Sequence, residues 1–345
     1  MTVHTEPIFD VAQLAMVALY TPKLAESLAF FSILGMKQVH KDEDGAVYLR
    51  AYEDPYKYSL KLIPHHEAGL AKVSWRATSE QALQRRVKEL ESRVEGEKWV
   101  EPSYGRGSAY EFTTPEGHPF EIFFDVEYFE ATGDNSSKLN NRPQRRPLHG
   151  IPVRRLDHVN LLAKSVDKNV DFMRDALGFK LREYLSKPTG EKGASWLSVS
   201  ALVHEIAFME DDLKDHYDDY RFHHVAFWYG DPQDLEYLGD ALTELDYKIE
   251  AGPLKHGVSQ AKCMYVIEPG GNRIELFGDT GYLIFDPTFE PVEWKESDAE
   301  KAIIWYGAPL PHSYFRYGTP VVEDLEIKQF YDDIKVIKAK VVEPN

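Results

Sequence analysis

The chain has 345 residues, enough for two domains that each bury a core. With 43% hydrophobic and 28% charged residues it reads as a globular protein, neither disordered nor membrane-spanning, and no apolar run approaches the ~20 residues of a membrane helix. A net charge of −17 argues against nucleic acid as a partner, because phosphates would be repelled.

The N-terminal stretch MTVHTEPIFDVAQLAMVALY lacks the basic region and apolar core of a secretory signal. The segment LAMVALYTPKLAESLAFFSILGMKQV (14–39) then reads as an apolar strand, a helix with aromatic residues at helical spacing, a Leu-Gly stop and a new strand. IPHHEAG is expected to put His65 and His66 in a surface turn. AKVSWRA (71–77) opens a second unit, followed by a helix. PEGHPFEIFF (115–124) closes it with a turn and a strand, and His118 is expected on the surface of that turn. SSKLNNRPQRRPLHG (136–150) is polar, basic and Pro-containing, without an apolar period, and reads as a connector.

The layout then recurs. LDHVNLLAKSVDKNVDFMRDALGFKLRE (156–183) repeats the first unit, HHVAFWY (223–229) the second strand start, and PGGNRIELFG (269–278) the closing strand. An internal duplication is the economical reading. EDDLKDHYDD (210–219) is read as a solvated acidic loop, and His216 and His312 as solvated residues. The stretch 278–318 is rich in aromatic residues and proline and too irregular for another unit, and residues 321–345, ending KVIKAKVVEPN, read as a mobile basic tail. Cys263 is the only cysteine, which precludes an internal disulfide and fits a reducing cytoplasm; it is expected to be buried and inert.

His158 in LDHVN, His224 in FHHVAF and Glu275 in GNRIELF stand out. A histidine in a strand is ordinarily a satisfied structural residue. Two of them with a carboxylate, in matching short apolar runs, suit one face of an octahedral metal, with the other face open; this is the set expected of a non-haem Fe(II) oxygenase. The same donors also suit Mn(II) and other divalent ions. Aligning the halves sets Met16 against His158, Lys72 against His224 and Glu121 against Glu275, so only the C-terminal half keeps a full ligand set. His223 adjoins His224, and because successive strand residues face opposite sides, only one of them is expected to reach the metal; the alignment chooses His224.

On these residues the chain resembles the two-domain extradiol ring-cleaving dioxygenases of the vicinal oxygen chelate superfamily, in the catechol 2,3-dioxygenase group. The similarity runs over about residues 12–320 and is strongest from LDHVN to GNRIELF. It implies an α+β fold of two domains, each made of two βαβββ modules curled around a central cavity. The expected division is a metal-free N-terminal pair of modules over 10–130, a linker over 131–152, a catalytic pair over 153–285, and a tail over 286–345 that covers the active-site mouth or joins subunits. The resemblance also assigns His204 in SALVHEIAF to the oxygen side of the site, as proton donor. It assigns His256 in HGVSQ and Tyr265 to the orientation of the substrate, and Asn160 and Trp196 to the pocket lining.

The implied reaction is extradiol (meta) cleavage of catechol or a small substituted catechol by O2 at Fe(II), giving 2-hydroxymuconate semialdehyde or an analogue. The implied partners are an aromatic diol and O2, with no nucleic acid or membrane, in a homotetramer. Relatives that take catechols with an acidic side chain can carry Arg five residues before the pocket histidine; here Ala251 stands there, with Lys255 nearby, which favours an uncharged substrate. The alternatives are a 4-hydroxyphenylpyruvate-type dioxygenase, a glyoxalase-like isomerase and a metal-free aromatic-binding module of the same superfamily.

Overall fold

A computed structural model describes residues 7–322 except 95, 97 and 280. The basic stretch expected at the C-terminus lies outside the described residues, apart from its first two positions. No helix among the described residues is long and apolar enough to cross a membrane.

The first module is β1 (Val11–Thr21), α1 (Leu24–Ile33), β2 (Lys37–Lys41), β3 (Val47–Arg50) and β4 (Leu60–Pro64). The second is β5 (Gly69–Ala77), α2 (Glu80–Leu90), β6 (Lys98–Val100), β7 (Ala109–Thr113) and β8 (Pro119–Phe123). The third is β9 (Arg155–Ala163), α3 (Val166–Leu177), β10 (Lys180–Ser186), β11 (Lys192–Ser198) and β12 (Ile206–Glu210). The fourth is β13 (Arg221–Trp228), α4 (Gln233–Glu244), β14 (Ile249–Lys255), β15 (Lys262–Ile267) and β16 (Arg273–Phe277). Each module is βαβββ. Two modules share each sheet, in the orders β2-β3-β4-β1-β5-β8-β7-β6 and β14-β15-β16-β13-β9-β12-β11-β10, joined through their first strands.

The helix stops follow from glycine. Gly178 ends α3 in the left-handed region at φ +80, its amide bonding back to Arg174 and Met173. Gly35 has φ +63 after α1, and a Cβ there would meet Pro152 at 2.7 Å, so the connector packs against this turn. β9 and β13 are buried almost throughout because helices cover one face and the cavity lies on the other; hence their unbroken apolar runs.

One hydrophobic core crosses between the halves, with Trp75 edge-on to Phe179 and Phe31 edge-on to Phe227. Polar staples cross with it. Ser27 donates to the buried carboxylate of Glu268 at 2.6 Å, and Asn272 Nδ2 donates to the Tyr20 carbonyl at 2.9 Å.

Two expectations are corrected here. His118 is not at the surface but fully buried between the halves, its Nε2 bonded to the Leu162 carbonyl at 3.0 Å and its Nδ1 to Thr114. The acidic run 210–219 is not simply solvated: Asp211 is fully buried and pairs with Arg221 at 2.5 Å. The stretch read as a connector packs on the N-terminal half, with Gln144 buried against Arg50. His65, His66 and His216 are exposed, as expected; His312 is also exposed, at the start of a short helix.

The C-terminal stretch forms no fifth module. β17 (Val292–Lys295) pairs with β10, and α5 (Ala299–Ile303) and α6 (His312–Arg316) lie against the cavity of the second sheet.

Candidate metal centre

Strand register brings the candidate ligands together. Ala226 of β13 stands opposite His158 on β9 and Glu275 on β16, and His224 lies two residues along the same face. The methyl group of Ala226 leaves space between the longer side chains. Glu275 Oε2 is 3.0 Å from His158 Nε2 and 2.9 Å from His224 Nε2, and the two Nε2 atoms are 3.3 Å apart. Neighbouring donors on an octahedral ion, with bonds of ~2.0–2.2 Å, lie ~2.8–3.1 Å apart. The three donors therefore form a facial set, and two imidazoles with one carboxylate suit a divalent first-row ion.

All three side chains are buried. Burial alone would raise the Glu275 carboxyl, but the His158 and His224 imidazoles outweigh it and hold it well below the usual range. His158 is pushed the other way: burial would lower it, and Glu275 with Asp157 raises it to about 9. His158 Nδ1 reaches Asp157 Oδ2 at 2.9 Å, and Arg155 pairs with the other oxygen at 2.7 Å. A carboxylate behind a metal-binding imidazole fixes the ring and raises its basicity.

The pocket over these donors collects the five further residues that the resemblance assigned to the site, Asn160, Trp196, His204, His256 and Tyr265. Trp196, Ala207 and Asn160 form one cross-strand row, and Tyr265 lies opposite Glu275. His204, His256 and Tyr265 complete the lining. His204 has its ring centroid 4.1 Å from that of His158 and makes no hydrogen bond among the described residues. Burial and the His158 charge hold it well below the usual histidine value, so it is neutral. His256 is held between the Ile303 carbonyl at Nδ1 and the Tyr265 hydroxyl, 2.8 Å from Nε2.

Several lining residues were missed. Tyr314 and Ile303 come from the tail and Met209 from a strand end, none of which carries a motif, and Val258 and Ser259 lie beside His256 in HGVSQ without having been assigned to the pocket. Ala194, Met209 and Ile303 also line an adjoining apolar groove of about 540 Å³ that opens to solvent. Cys263 is buried near Glu275, where burial pushes its thiol well up and keeps it protonated.

The N-terminal half repeats the register without the ligands. Met16 is paired to Ser74 as His158 is to Ala226, Ala18 to Lys72 as Asn160 to His224, and Ser74 to Glu121 as Ala226 to Glu275. Arg106 supplies the positive charge there, with Nε and Nη2 each 3.0 Å from a Glu121 oxygen.

Residues 155–276 match the Glyoxalase/Bleomycin resistance protein/Dioxygenase superfamily. The chain is 52% identical over 325 residues to a metapyrocatechase of Geobacillus stearothermophilus, covering 94% of this chain and 98% of that one. It is 38% identical to a manganese-dependent 2,3-dihydroxybiphenyl 1,2-dioxygenase of Geobacillus genomosp. 3, covering 87% and 95%. Its fold superposes on homoprotocatechuate 2,3-dioxygenase from Brevibacterium fuscum with a TM-score of 0.79 at 25% identity, covering 92% and 95%. The chain belongs to the extradiol ring-cleaving dioxygenases of this superfamily. Within them it falls in the catechol 2,3-dioxygenase group, and the 2-oxo-acid alternative is not favoured.

Proposed function

We propose that the protein cleaves catechol, or a small uncharged catechol, beside its diol, with O2 as oxidant and Fe(II) held by His158, His224 and Glu275. The observation that carries this reading is the triangle of donor atoms 2.9–3.3 Å apart on one wall of a buried pocket. When bound, the metal would acidify the diol and bring it next to O2.

The chain's own residues do the rest. His256 accepts from Tyr265 at Nε2, so the pair presents a fixed hydrogen-bonding edge to a substrate oxygen. His204, held neutral by burial and without a hydrogen-bonding partner among the described residues, is placed to stabilise negative charge developing on oxygen and to hand on a proton from its ring. Trp196 and Asn160 shape the ring's slot. Ala251, opposite Tyr265 in register, supplies no counter-charge for an acidic substituent.

The catalytic pair of modules spans 153–285, the metal-free pair 10–130 and the connector 131–152, with the tail from 286 closing the site or joining subunits. The buried free thiol of Cys263 supports a reducing cytoplasm, and the family resemblance supports a homotetramer.

The test is anaerobic reconstitution with Fe(II), and in parallel with Mn(II), followed by aerobic turnover of catechol. O2 uptake matched by a yellow ring-fission product, absent in His158→Ala, is the expected result. No O2 uptake with either metal would sink the reading.

A further inference from the structure

His223 fits neither of the two roles its position first suggests, metal ligand or outward-facing neighbour. A register slip between Phe222 and His224 breaks strict alternation in β13, and the rings of His223 and His224 meet, with their centroids 4.8 Å apart. His223 Nε2 lies 2.7 Å from the Tyr314 carbonyl oxygen of α6, and its Nδ1 lies 2.6 Å from His224 Nδ1.

The proton positions follow by elimination. A carbonyl only accepts, so His223 Nε2 carries a proton. A His224 ring that offers Nε2 to an ion carries its own proton on Nδ1, and the only protein atom among the described residues within hydrogen-bond distance of that Nδ1 is His223 Nδ1, 2.6 Å away, which therefore accepts. That leaves the His224 Nε2 lone pair facing Glu275 and His158.

We infer that His223 is a positioning residue that relays the Tyr314 carbonyl of the C-terminal segment to the metal ligand His224, fixing its tautomer and its orientation. The inference rests on the metal site proposed above. His158 gets the same service locally from Asp157; His224 gets it from a segment ninety residues away in sequence. The segment repeats the device at His256, whose Nδ1 faces the Ile303 carbonyl, leaving Nε2 to accept from Tyr265. The tail thus sets proton positions on two imidazoles of the pocket.

The experiment is Mn(II) binding to the metal-free full-length protein, read from the electron paramagnetic resonance of free Mn(II). His223→Leu removes the acceptor and is expected to weaken binding about 10–100-fold, the usual cost of losing a partner behind a ligand. His223→Gln accepts with Oε1 and donates with its amide, and is expected to restore most of the affinity. His223→Met takes the apolar arm if His223→Leu is recovered unfolded by circular dichroism. Wild-type affinity in the apolar variant, or a Gln variant no better than it, overturns the inference. Absence of Mn(II) binding in the wild type, or unchanged binding in His224→Ala, would instead overturn the metal site itself.

Discussion

Glu121 and Glu275 occupy the same register position in the two sheets, opposite Ser74 and Ala226 respectively, yet one ends on a guanidinium and the other on two imidazoles. A buried carboxylate must be paired, and the two halves meet that need differently. In the N-terminal half Arg106 is a permanent counter-ion; in the C-terminal half the pairing falls to imidazoles, groups that can exchange a proton for a metal ion.

Removing Arg106 alone leaves buried Glu121 with only the Ser74 hydroxyl at 2.7 Å and the more distant Lys72 ammonium at 3.8 Å. Arg106→Leu is expected to destabilise the fold by about 3–5 kcal/mol, while the double change with Glu121→Leu recovers most of the loss. Urea unfolding of the three variants checks this, with kcat per bound metal expected to be unchanged throughout.

His204→Asn keeps the ligands and most of the packing but removes the proton-carrying imidazole. Its kcat is expected to fall by about 10²–10⁴, the usual worth of a positioned proton donor, with metal content as in the wild type. Steady-state O2 uptake beside metal analysis separates the two quantities.

In the metal-free protein His158 stands at about 9, so its ring is protonated at neutral pH and must lose that proton to bind an ion. Affinity is therefore expected to fall about tenfold per unit as pH drops below about 9, with one proton released per ion bound near neutrality. Calorimetric titration in buffers of different ionisation heat reads the released proton directly.

His118 is held neutral by burial, its value lowered to about 4 from the ordinary 6.5. Its folded value lies below its unfolded one, so its contribution is intact above about pH 6.5 and is lost as pH falls towards about 4, by at most about 3 kcal/mol. Urea midpoints at about pH 7 and about pH 5 are expected to differ less in His118→Gln than in the wild type.

Ala251→Arg introduces a counter-charge on β14 beside Tyr265. A charge-assisted hydrogen bond is worth about 1.5–3 kcal/mol, so kcat/KM for a catechol bearing a carboxylate is expected to rise roughly ten- to a hundredfold relative to catechol. Competition between 3,4-dihydroxyphenylacetate and catechol measures the ratio.

The module pattern was legible because it is written locally. Apolar runs, helical spacing and the stops at Gly35 and Gly178 each depend on residues close in the chain. That His158, His224 and Glu275 converge in space was legible too, since they sit at matching places in repeated units. What escaped is what distant segments do to one another. His118 looks like a turn residue until the Leu162 carbonyl is placed against it, and Asp211 like a solvated acid until Arg221 is. His224, not His223, joins His158 and Glu275 as the alignment of the halves implied, but the contact between the two neighbouring rings was not legible, because alternation assumes an unbroken ladder and β13 has a slip at that point. Tyr314 and the Ile303 carbonyl lie in a tail with no repeating pattern to read.

Ser27 and Glu268 sit on opposite sides of the duplication, and Trp75 packs against Phe179 across the same boundary. A C-terminal half made alone would bare that aromatic face and leave a buried carboxylate without its hydroxyl. The half without the histidines thus serves as a permanent wall for the half that carries them. A polar side chain placed at Trp75, against Phe179, would therefore loosen the catalytic half from the far side of the boundary, without touching His158, His224 or Glu275.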